Sequence, residues 1–182
     1  MLATWYSVPA DQLIGEENKG WTYAKYLLGH ERTGIAAVGR SKRELGFLKR
    51  FAAAQSVNGK PLLEDPLFGA KVATLEIELM ALEMTVLRIL SQASKGPGPE
   101  ASVLKVRGTE IQQTLTELMV EAAGPMALPF DPAYLEGETE HSIADDDAAP
   151  LAAHYFNVRK TSIYGGSNEI QRNIITQMIL GL

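Results

Sequence analysis

The sequence predicts an all-α protein, an up-down bundle of four to five helices preceded by a short extended arm. Three observations support this class. Apolar residues recur every three or four positions over most of the chain, clusters of glycine and proline separate these stretches, and a strand-like pattern occurs only near the amino terminus. A chain of 182 residues is large enough to bury one core without disulfides or metal.

Composition excludes several classes of site. The chain has no cysteine, which excludes disulfide bridges, thiolate zinc sites and cysteine nucleophiles. Its 17 basic and 22 acidic residues give a net charge of -5, and no basic run would follow a phosphate backbone, so no nucleic-acid partner is expected. The amino terminus lacks the layout of a signal peptide, and no apolar run approaches the ~20 residues that span a bilayer. We therefore expect a cytoplasmic protein without a membrane span.

The amino-terminal residues form the predicted arm. The run Thr4–Val8 is rich in aromatic and β-branched residues and precedes Pro9, which is typical of a short strand that leads into a turn. We assign residues 1–18 to this arm and residues 19–182 to the helical bundle.

Two long helices are predicted next. The first extends from about Lys19 to Gln55, and its apolar face consists of Leu28, Ile35, Val38, Leu45, Leu48 and Ala52. The second begins where Asp65 caps the helix and Pro66 occupies its first position, and it ends at Lys95 before a Gly-Pro-Gly-Pro run. Its apolar stripe consists of Val72, Leu75, Leu79, Leu82, Val86 and Ile89.

The second half of the chain supplies the remaining helices. One is predicted from Pro99 or Glu100 to Ala123, another from about Pro150 to Ser162, and the last after Ser167. The inward residues of the first of these are Leu104, Ile111, Leu115, Leu118 and Ala122. The segment from residue 125 to 150 is predicted to be a solvated loop. It places His141 beside several carboxylates, but no spacing fixes a set of ligands, so no metal site is predicted.

Glu31 interrupts the apolar face of the first helix. Counting back four residues from Ile35 gives position 31, and three more give Leu28, so periodicity favours an apolar side chain at 31. Burial would make this carboxylate a stronger base toward a weak carbon acid. The alternative is a solvated glutamate at the edge of the face that pairs with a base such as Arg32.

A second unusual feature is the segment Ser162–Ser167, which places two glycines directly before a helix cap. Backbone N–H groups at the start of a helix lack intrahelical acceptors, and they suit the oxygen of a polarised carbonyl or a phosphate. A plain glycine turn between two packed helices would have the same sequence. The residues alone leave both interpretations open.

These motifs resemble the acyl-CoA dehydrogenase family. IYGGSNEIQRNII followed by LGL is similar to that family's C-terminal signature, and VPADQLIGEENKGW is similar to its passage from a middle β domain into a C-terminal helical domain. ERTGIA fits the start of the first C-terminal helix, and together the motifs span nearly the whole chain. The resemblance implies an N-terminal helical domain and a β domain ahead of this one in full-length members. Both are expected to be absent here, with the arm as the last remnant of the β domain.

The resemblance also implies an FAD-dependent oxidoreductase of fatty acid metabolism. In this family a glutamate takes the α proton of an acyl-CoA thioester while a hydride passes from the β carbon to the flavin. Many members carry that glutamate directly after the tyrosine of the terminal motif, where this chain has Gly165. A smaller set, similar to the isovaleryl and long-chain enzymes and to steroid side-chain dehydrogenases, has glycine there and its glutamate on the first C-terminal helix. Glu31 fills that position.

The neighbouring residues acquire roles from the same resemblance. The N–H group of Gly165 would bind the thioester carbonyl, Tyr164 would wall the acyl pocket, and Arg32 would face the CoA moiety. Ser167 and Glu169 occupy positions that contact the adenosine end of FAD in the family.

Two departures from the family pattern affect the expected partners. Gln55 and Asn58 stand before Gly59, where members often have an arginine and a phenylalanine, and VEAAGPMALP replaces a turn rich in glutamine and glycine. Both positions reach the flavin of a neighbouring subunit in the family. We therefore expect a homo- or hetero-oligomer. Because the β domain that should cover the flavin ring is expected to be absent, we expect this chain alone to be catalytically silent and to retain FAD weakly or not at all. The resemblance also implies an electron-transfer flavoprotein or similar acceptor. The alternative is a non-catalytic helical oligomerisation module or partner subunit derived from the same family.

Overall fold

The computed structural model describes residues 9–91, 98–130, 132, 136–137 and 147–182, with only the backbone of residues 28–33. Six α-helices lie within these residues, and the all-α prediction is confirmed. They are α1 (Gly20–Ile35), α2 (Val38–Ala54), α3 (Pro66–Ser91), α4 (Glu100–Ala123), α5 (Leu151–Val158) and α6 (Asn168–Leu180). None of the described helices is long and apolar enough to cross a membrane.

The first predicted helix is in fact two helices, and this raises the count above the four to five predicted. The chain breaks at Ala37, whose φ of 50° lies in the left-handed region. Ala36 is buried against Gly108 of α4, where a Cβ would lie only 2.7 Å from Ala36 Cα. Gln112 Nε2 also donates to the Ile35 carbonyl at 3.3 Å. The break is therefore set by close packing on α4.

A short antiparallel hairpin follows α2, with β1 (Ser56–Val57) paired to β2 (Lys60–Pro61). Asn58 and Gly59 form its turn with φ values of 53° and 77°, which is typical of a two-residue primed turn. The sequence predicted a break in the helical pattern here but not the hairpin.

The start of α3 agrees with the predicted cap. Asp65 Oδ1 accepts hydrogen bonds from the N–H groups of Leu67 at 3.0 Å and Phe68 at 2.9 Å. The predicted stripe of α3 faces the core, because Val72, Leu75, Leu79 and Leu82 are buried and Val86 and Ile89 pack against them.

Helix α4 is the centre of the bundle and contacts each of the other five helices. Its bounds agree with the predicted range, and all five of its predicted inward residues are buried. The sequence did not predict that α4 would also bury polar side chains. Those side chains are Ser102, Lys105, Thr109, Gln112 and Thr116.

A 3-10 turn, Arg159–Ser162, continues α5 and is tied to α4. Arg159 Nη2 donates to the Gln113 carbonyl at 2.6 Å and to Thr116 Oγ1 at 3.1 Å, and its guanidinium lies 4.3 Å from the Tyr155 ring centroid. Gln113 Nε2 donates in return to Ser162 Oγ at 3.1 Å. These contacts fix the chain on α4 directly before the double glycine.

Helix α6 follows the predicted cap but does not bury its apolar residues. Its buried side chains are the polar Asn168 and Gln171. Its apolar residues are half-buried or exposed, among them Ile170, Ile174, Ile175, Met178 and Ile179.

Several predictions fall on residues that the structure does not describe. They are the strand-like run Thr4–Val8, the inward side chain of Leu28, the end of the second predicted helix at Lys95, and the loop residue His141. The described part of the arm holds a 3-10 turn at Ala10–Gln12, and another, Gly124–Ala127, ends α4.

Candidate functional site

The double glycine forms an exposed corner between the 3-10 turn and α6. Gly165 and Gly166 have φ values of 67° and 84°, in the left-handed region that residues with a Cβ rarely adopt. The backbone of Ser167, the next residue, is extended, and its Oγ accepts a hydrogen bond from the Ile170 N–H at 3.4 Å. Within the part of the chain that the structure describes, the Gly165 N–H has no acceptor. The corner therefore presents a free backbone donor beside a helix N-terminus.

This corner touches the carboxyl end of α1. A Cβ built on Gly165 would lie 3.1 Å from Cδ1 of Ile35. Position 31 is four residues earlier on α1, so it shares the helix face of Ile35 one turn away. The fold thus brings the turn of α1 that carries Glu31 to the Tyr-Gly-Gly corner. The side chains of Glu31 and Arg32 lie outside the described residues, so their roles stay predictions.

The buried side-chain amide of Gln171 packs against the backbone of this corner. Gln171 is almost fully buried, and its Nε2 lies 3.5 Å from the carbonyl oxygens of both Gly165 and Gly166. A Cβ at Gly166 would lie 2.5 Å from the same nitrogen. Both carbonyls therefore face the protein interior, and only glycine fits the second position without moving Gln171.

Beneath the first turn of α6 lies a buried polar cluster that the sequence did not reveal. Lys105 Nζ donates to Asn168 Oδ1 at 2.8 Å, and Thr109 Oγ1 exchanges hydrogen bonds with the Asn168 amide at 3.2 and 3.3 Å. Burial lowers the pKa of Lys105, and the negative charge of Glu169 opposes that shift. The only sequence signal was a lysine within the apolar pattern of α4, and lysines are usually solvated.

Glu169 is exposed in the first turn of α6. Its pKa is lowered, first by its own backbone N–H, then by the Ser167 hydroxyl, and further by the charges of Arg172 and Lys105. An ionised carboxylate at a helix N-terminus is an acceptor for hydroxyl groups. Half-exposed Tyr164 stands on the other side of the double glycine. The predicted residues Tyr164, Gly165, Ser167 and Glu169 thus share one accessible corner.

Comparison with known proteins decides the family. A sequence model described as "Acyl-CoA dehydrogenase, C-terminal domain" matches residues 18–180. The chain belongs to the acyl-CoA dehydrogenase family. The helical bundle described above is therefore an acyl-CoA dehydrogenase C-terminal domain.

Relatives of this acyl-CoA dehydrogenase domain include two proteins of Mycobacterium tuberculosis. Acyl-CoA dehydrogenase IpdE1 is 29% identical over 177 residues, which cover 95% of this chain and 41% of that protein. Acyl-CoA dehydrogenase FadE26 is 29% identical over 192 residues, which cover 99% of this chain and 45% of that protein. The chain thus spans less than half the length of these relatives.

Solved structures share the fold. The ChsE4–ChsE5 complex of Mycobacterium tuberculosis matches with a TM-score of 0.74 and 25% identity over 96% of this chain and 44% of that chain. Butyryl-CoA dehydrogenase of Megasphaera elsdenii matches with a TM-score of 0.72 and 23% identity over 95% of this chain and 42% of that chain.

Proposed function

We propose that this chain supplies the catalytic base and the carbonyl-binding corner of a flavin-dependent acyl-CoA dehydrogenase, which removes hydrogens from the α and β carbons of an acyl-CoA thioester. One observation supports this most strongly. Ile35 Cδ1 lies 3.1 Å from the point where a Cβ on Gly165 would sit, so the end of α1, one turn after Glu31, lies beside a backbone N–H that has no acceptor in the described structure. A base and an oxyanion donor on opposite sides of a substrate carbonyl are the two groups that proton removal next to a thioester requires.

In this proposal Glu31 takes the α proton. As the proton leaves, negative charge develops on the thioester oxygen, and the Gly165 N–H stabilises it at the positive end of α6. The inward-facing carbonyls of the double glycine keep like charge away from that oxygen. Tyr164 walls the acyl pocket, and Arg32 faces the CoA moiety. A glycine in place of the usual glutamate leaves room for a branched or bulky acyl group near Tyr164.

The corner also fits one end of FAD. Ser167 and the ionised Glu169 are accessible acceptors at a helix N-terminus, which suits the hydroxyl and amino groups of an adenosine moiety. When bound, FAD accepts the hydride from the β carbon of the substrate. The residues of this chain hold its adenosine end and orient the acyl group toward it.

The chain spans less than half of its relatives, so we propose that it acts with further protein. Residues 1–18 are an extended arm or the remnant of a β domain, and residues 19–182 are the bundle domain. Alone, the chain is catalytically silent and retains FAD weakly or not at all. It forms a homo- or hetero-oligomer, passes electrons to an electron-transfer flavoprotein or similar acceptor, and is cytoplasmic. The ChsE4–ChsE5 complex, named as an assembly of two proteins, supports a two-subunit arrangement.

Flavin bleaching tests the chemistry. This chain, expressed together with any adjacent homologous domain or subunit, is mixed with a panel of acyl-CoAs under anaerobic conditions. We expect Glu31→Gln to reduce the bleaching rate by roughly a hundredfold to ten-thousandfold while acyl-CoA binding remains. Glu17→Gln, a charge-matched change at an exposed position, should bleach like the wild type. Equal bleaching rates for Glu31→Gln and the wild type would remove Glu31 from the mechanism.

A second candidate is a non-catalytic helical oligomerisation module or partner subunit of the same family. It is favoured by the exposed apolar residues on α3 and α6, which a protein–protein interface would cover. This candidate predicts assembly with a partner but no bleaching in the wild type with any acyl-CoA. The same experiment therefore separates the two functions.

A further inference from the structure

Lys105 is a buried cation behind the N-terminus of a helix. Its side chain is fully buried in the second turn of α4, and its Nζ donates a hydrogen bond of 2.8 Å to Asn168 Oδ1. Asn168 is the first residue of α6. Helix N-termini favour anions, and a buried charge is costly unless it is paired. Among the described residues, no carboxylate forms an ion pair with Lys105, so its charge lies where helix electrostatics disfavour it.

The hydrogen bonds around Asn168 hold the ammonium group in one place. Asn168 Nδ2 donates to Thr109 Oγ1 at 3.2 Å, and the Thr109 hydroxyl donates to the Val106 carbonyl at 2.9 Å. Because the nitrogen of the amide faces Thr109, its oxygen faces Lys105. The first turn of α6 is thus attached to the cation by bonds that continue into α4.

The corner in front of this charge presents backbone donors without acceptors. In the part of the chain that the structure describes, the N–H groups of Gly165, Gly166 and Ser167 all lack an acceptor. These residues directly precede Asn168, and three residues span at most about 11 Å of chain. A unit charge about 10 Å away, at an effective dielectric constant of about 20, changes an equilibrium constant roughly tenfold. The ammonium group is therefore near enough to strengthen these donors.

Two exposed charges on α6 act on the same corner. Glu169 carries a negative charge in the first turn, and Arg172 carries a positive charge in the next turn and pairs with Glu110 at 3.1 Å. Water and salt screen exposed charges, and an ion pair on the surface has a weak field. The ammonium of Lys105 is buried, so its field passes through protein of lower dielectric constant. We therefore expect the buried cation to have the larger effect on the free N–H groups.

We infer that Lys105 is a positioning residue of the candidate site: it holds the first turn of α6 through Asn168, and its charge makes the free N–H groups of the corner stronger hydrogen-bond donors to an anion. The fold alone does not require this charge, because an apolar side chain of similar volume often replaces a buried ion without loss of stability. In the proposed function the anion is the thioester oxygen as the α proton leaves. The identity of the anion rests on that proposed function, whereas the effect of the charge on the donors does not.

Amide hydrogen exchange tests the effect of the charge in the complete 182-residue chain, without any ligand. Hydroxide removes the proton from an exposed N–H, and a nearby positive charge speeds this step because it stabilises the resulting anion. We expect Lys105→Met to slow exchange of the Gly165 and Gly166 N–H groups by roughly three- to tenfold, measured by NMR exchange with water. Lys60→Met, at an exposed lysine of the hairpin, should leave these rates unchanged.

Asn168→Asp separates the effect of the charge from the effect of the hydrogen bond. A carboxylate keeps an acceptor for the ammonium and suits the first turn of a helix, so α6 stays attached to α4. Its negative charge cancels that of Lys105, and we expect exchange at Gly165 to slow as much as in Lys105→Met. Wild-type exchange rates in Asn168→Asp would overturn the inference. Circular dichroism checks that every variant remains helical.

A purely structural role for Lys105 predicts the opposite sign. If the lysine only held α6 in place, Lys105→Met would loosen the first turn of α6, and its protected N–H groups would exchange faster. The N–H groups of Gly165 and Gly166 are already free, so their rates would not fall. Unchanged or faster exchange of these two groups in Lys105→Met would overturn the inference.

Flavin bleaching connects the charge to the proposed reaction. With this chain expressed together with any adjacent homologous domain or subunit, Lys105→Met should lower the limiting rate of bleaching by roughly three- to tenfold. The acyl-CoA concentration at half saturation should stay the same, because the charge acts on the oxyanion more than on the neutral carbonyl. An equal limiting rate in the variant and the wild type would overturn the inference. If the wild type bleaches with no acyl-CoA, the proposed function fails, and amide exchange alone decides the role of Lys105.

Discussion

The ammonium group of Lys105 donates a hydrogen bond of 2.8 Å to Asn168 Oδ1, and both side chains are buried between α4 and the first turn of α6. A cation behind a helix N-terminus opposes the helix dipole, and its burial is costly. The same charge adds to the positive potential at the corner where the proposed oxyanion forms. The protein thus retains an unfavourable charge directly behind its candidate site.

The first prediction concerns the pH dependence of stability. The pKa of Lys105 is lowered in the folded chain, so above that pKa the unfolded chain binds more protons at this site than the folded chain. Stability therefore rises with pH from the lowered pKa up to the ordinary lysine value of about 10.4. We expect the wild type to gain stability relative to Lys105→Met between pH 7.5 and pH 10, as measured by urea unfolding.

The comparison with Lys105→Met isolates this residue, because all other titrating groups are common to both proteins. Lys60→Met, at an exposed lysine of the hairpin, should follow the wild type at both pH values. Parallel pH profiles for the wild type and Lys105→Met would contradict the prediction.

The second prediction concerns the packing of the α1–α2 junction on α4. In Gly108→Ala the new Cβ would lie 2.7 and 2.8 Å from backbone atoms of Ala36, which cannot move without shifting the junction. We expect a loss of about 1–3 kcal/mol in the free energy of unfolding. The matched control is Gly46→Ala in α2, where the nearest atom is the mobile Arg50 Nη1 at 3.5 Å. The control should gain up to about 1 kcal/mol from helix propensity. Equal effects of the two alanines would refute the close-packing explanation.

The third prediction concerns the break between α1 and α2. Ala37 has a φ of 50°, a conformation that glycine adopts without steric cost. Ala37→Gly should therefore stabilise the chain by roughly 0.5–1 kcal/mol, observed as a higher midpoint in thermal unfolding. Ala53→Gly, at an exposed position inside α2, should lower stability by about 1 kcal/mol. A loss of stability in both variants would mean that residue 37 is not in the left-handed conformation and that α1 continues directly into α2.

The fourth prediction tests the contact between Ile35 and the corner. Gly165→Ala would strain a backbone with a φ of 67° and would place Cβ 3.1 Å from Ile35 Cδ1. Gly59→Ala carries similar backbone strain at a φ of 77° but meets no atom within 4 Å. We expect a loss of about 1–3 kcal/mol for each and a larger loss for Gly165→Ala.

A double-mutant cycle isolates that contact. Ile35→Val removes the Cδ1 methyl, so the cost of Gly165→Ala should be smaller in the Ile35→Val background than in the wild type. If Gly165→Ala lowers the free energy of unfolding equally in both backgrounds, as measured by urea unfolding, then Ile35 does not pack against Gly165. That result would weaken the placement of Glu31 beside the free N–H.

The long helices show why much of this fold could be predicted. The start of α3 depends on Asp65 and Pro66, which are adjacent to the helix that they begin. The buried faces of α3 and α4 follow the three- and four-residue spacing of their apolar residues. The cap at Ser167 is likewise local. Helix caps and apolar spacing depend on residues that are close together in the chain, so both can be recognised in the amino-acid sequence.

The candidate site was only partly predictable. The glycines at 165 and 166 marked the corner, and the family motif pointed to Glu31. No pattern in the amino-acid order predicted that the Gln171 amide would face both glycine carbonyls or that Lys105 would be buried beneath Asn168. Polar side chains on a helix are usually solvated, and only the position of α4 at the centre of the bundle buries these residues.

The amino-acid sequence by itself determined the class of fold, the start of α3, the bounds of α4, and the capped double glycine, because these depend on periodicity and on short-range hydrogen bonds. Only the tertiary structure decided that the first helix would break at Ala37 and that Ile35 would touch Gly165. Both depend on α1 meeting residues far along the chain, on α4 and at the corner before α6. Packing between distant segments is fixed by the shape and volume of the folded core, which no local pattern records.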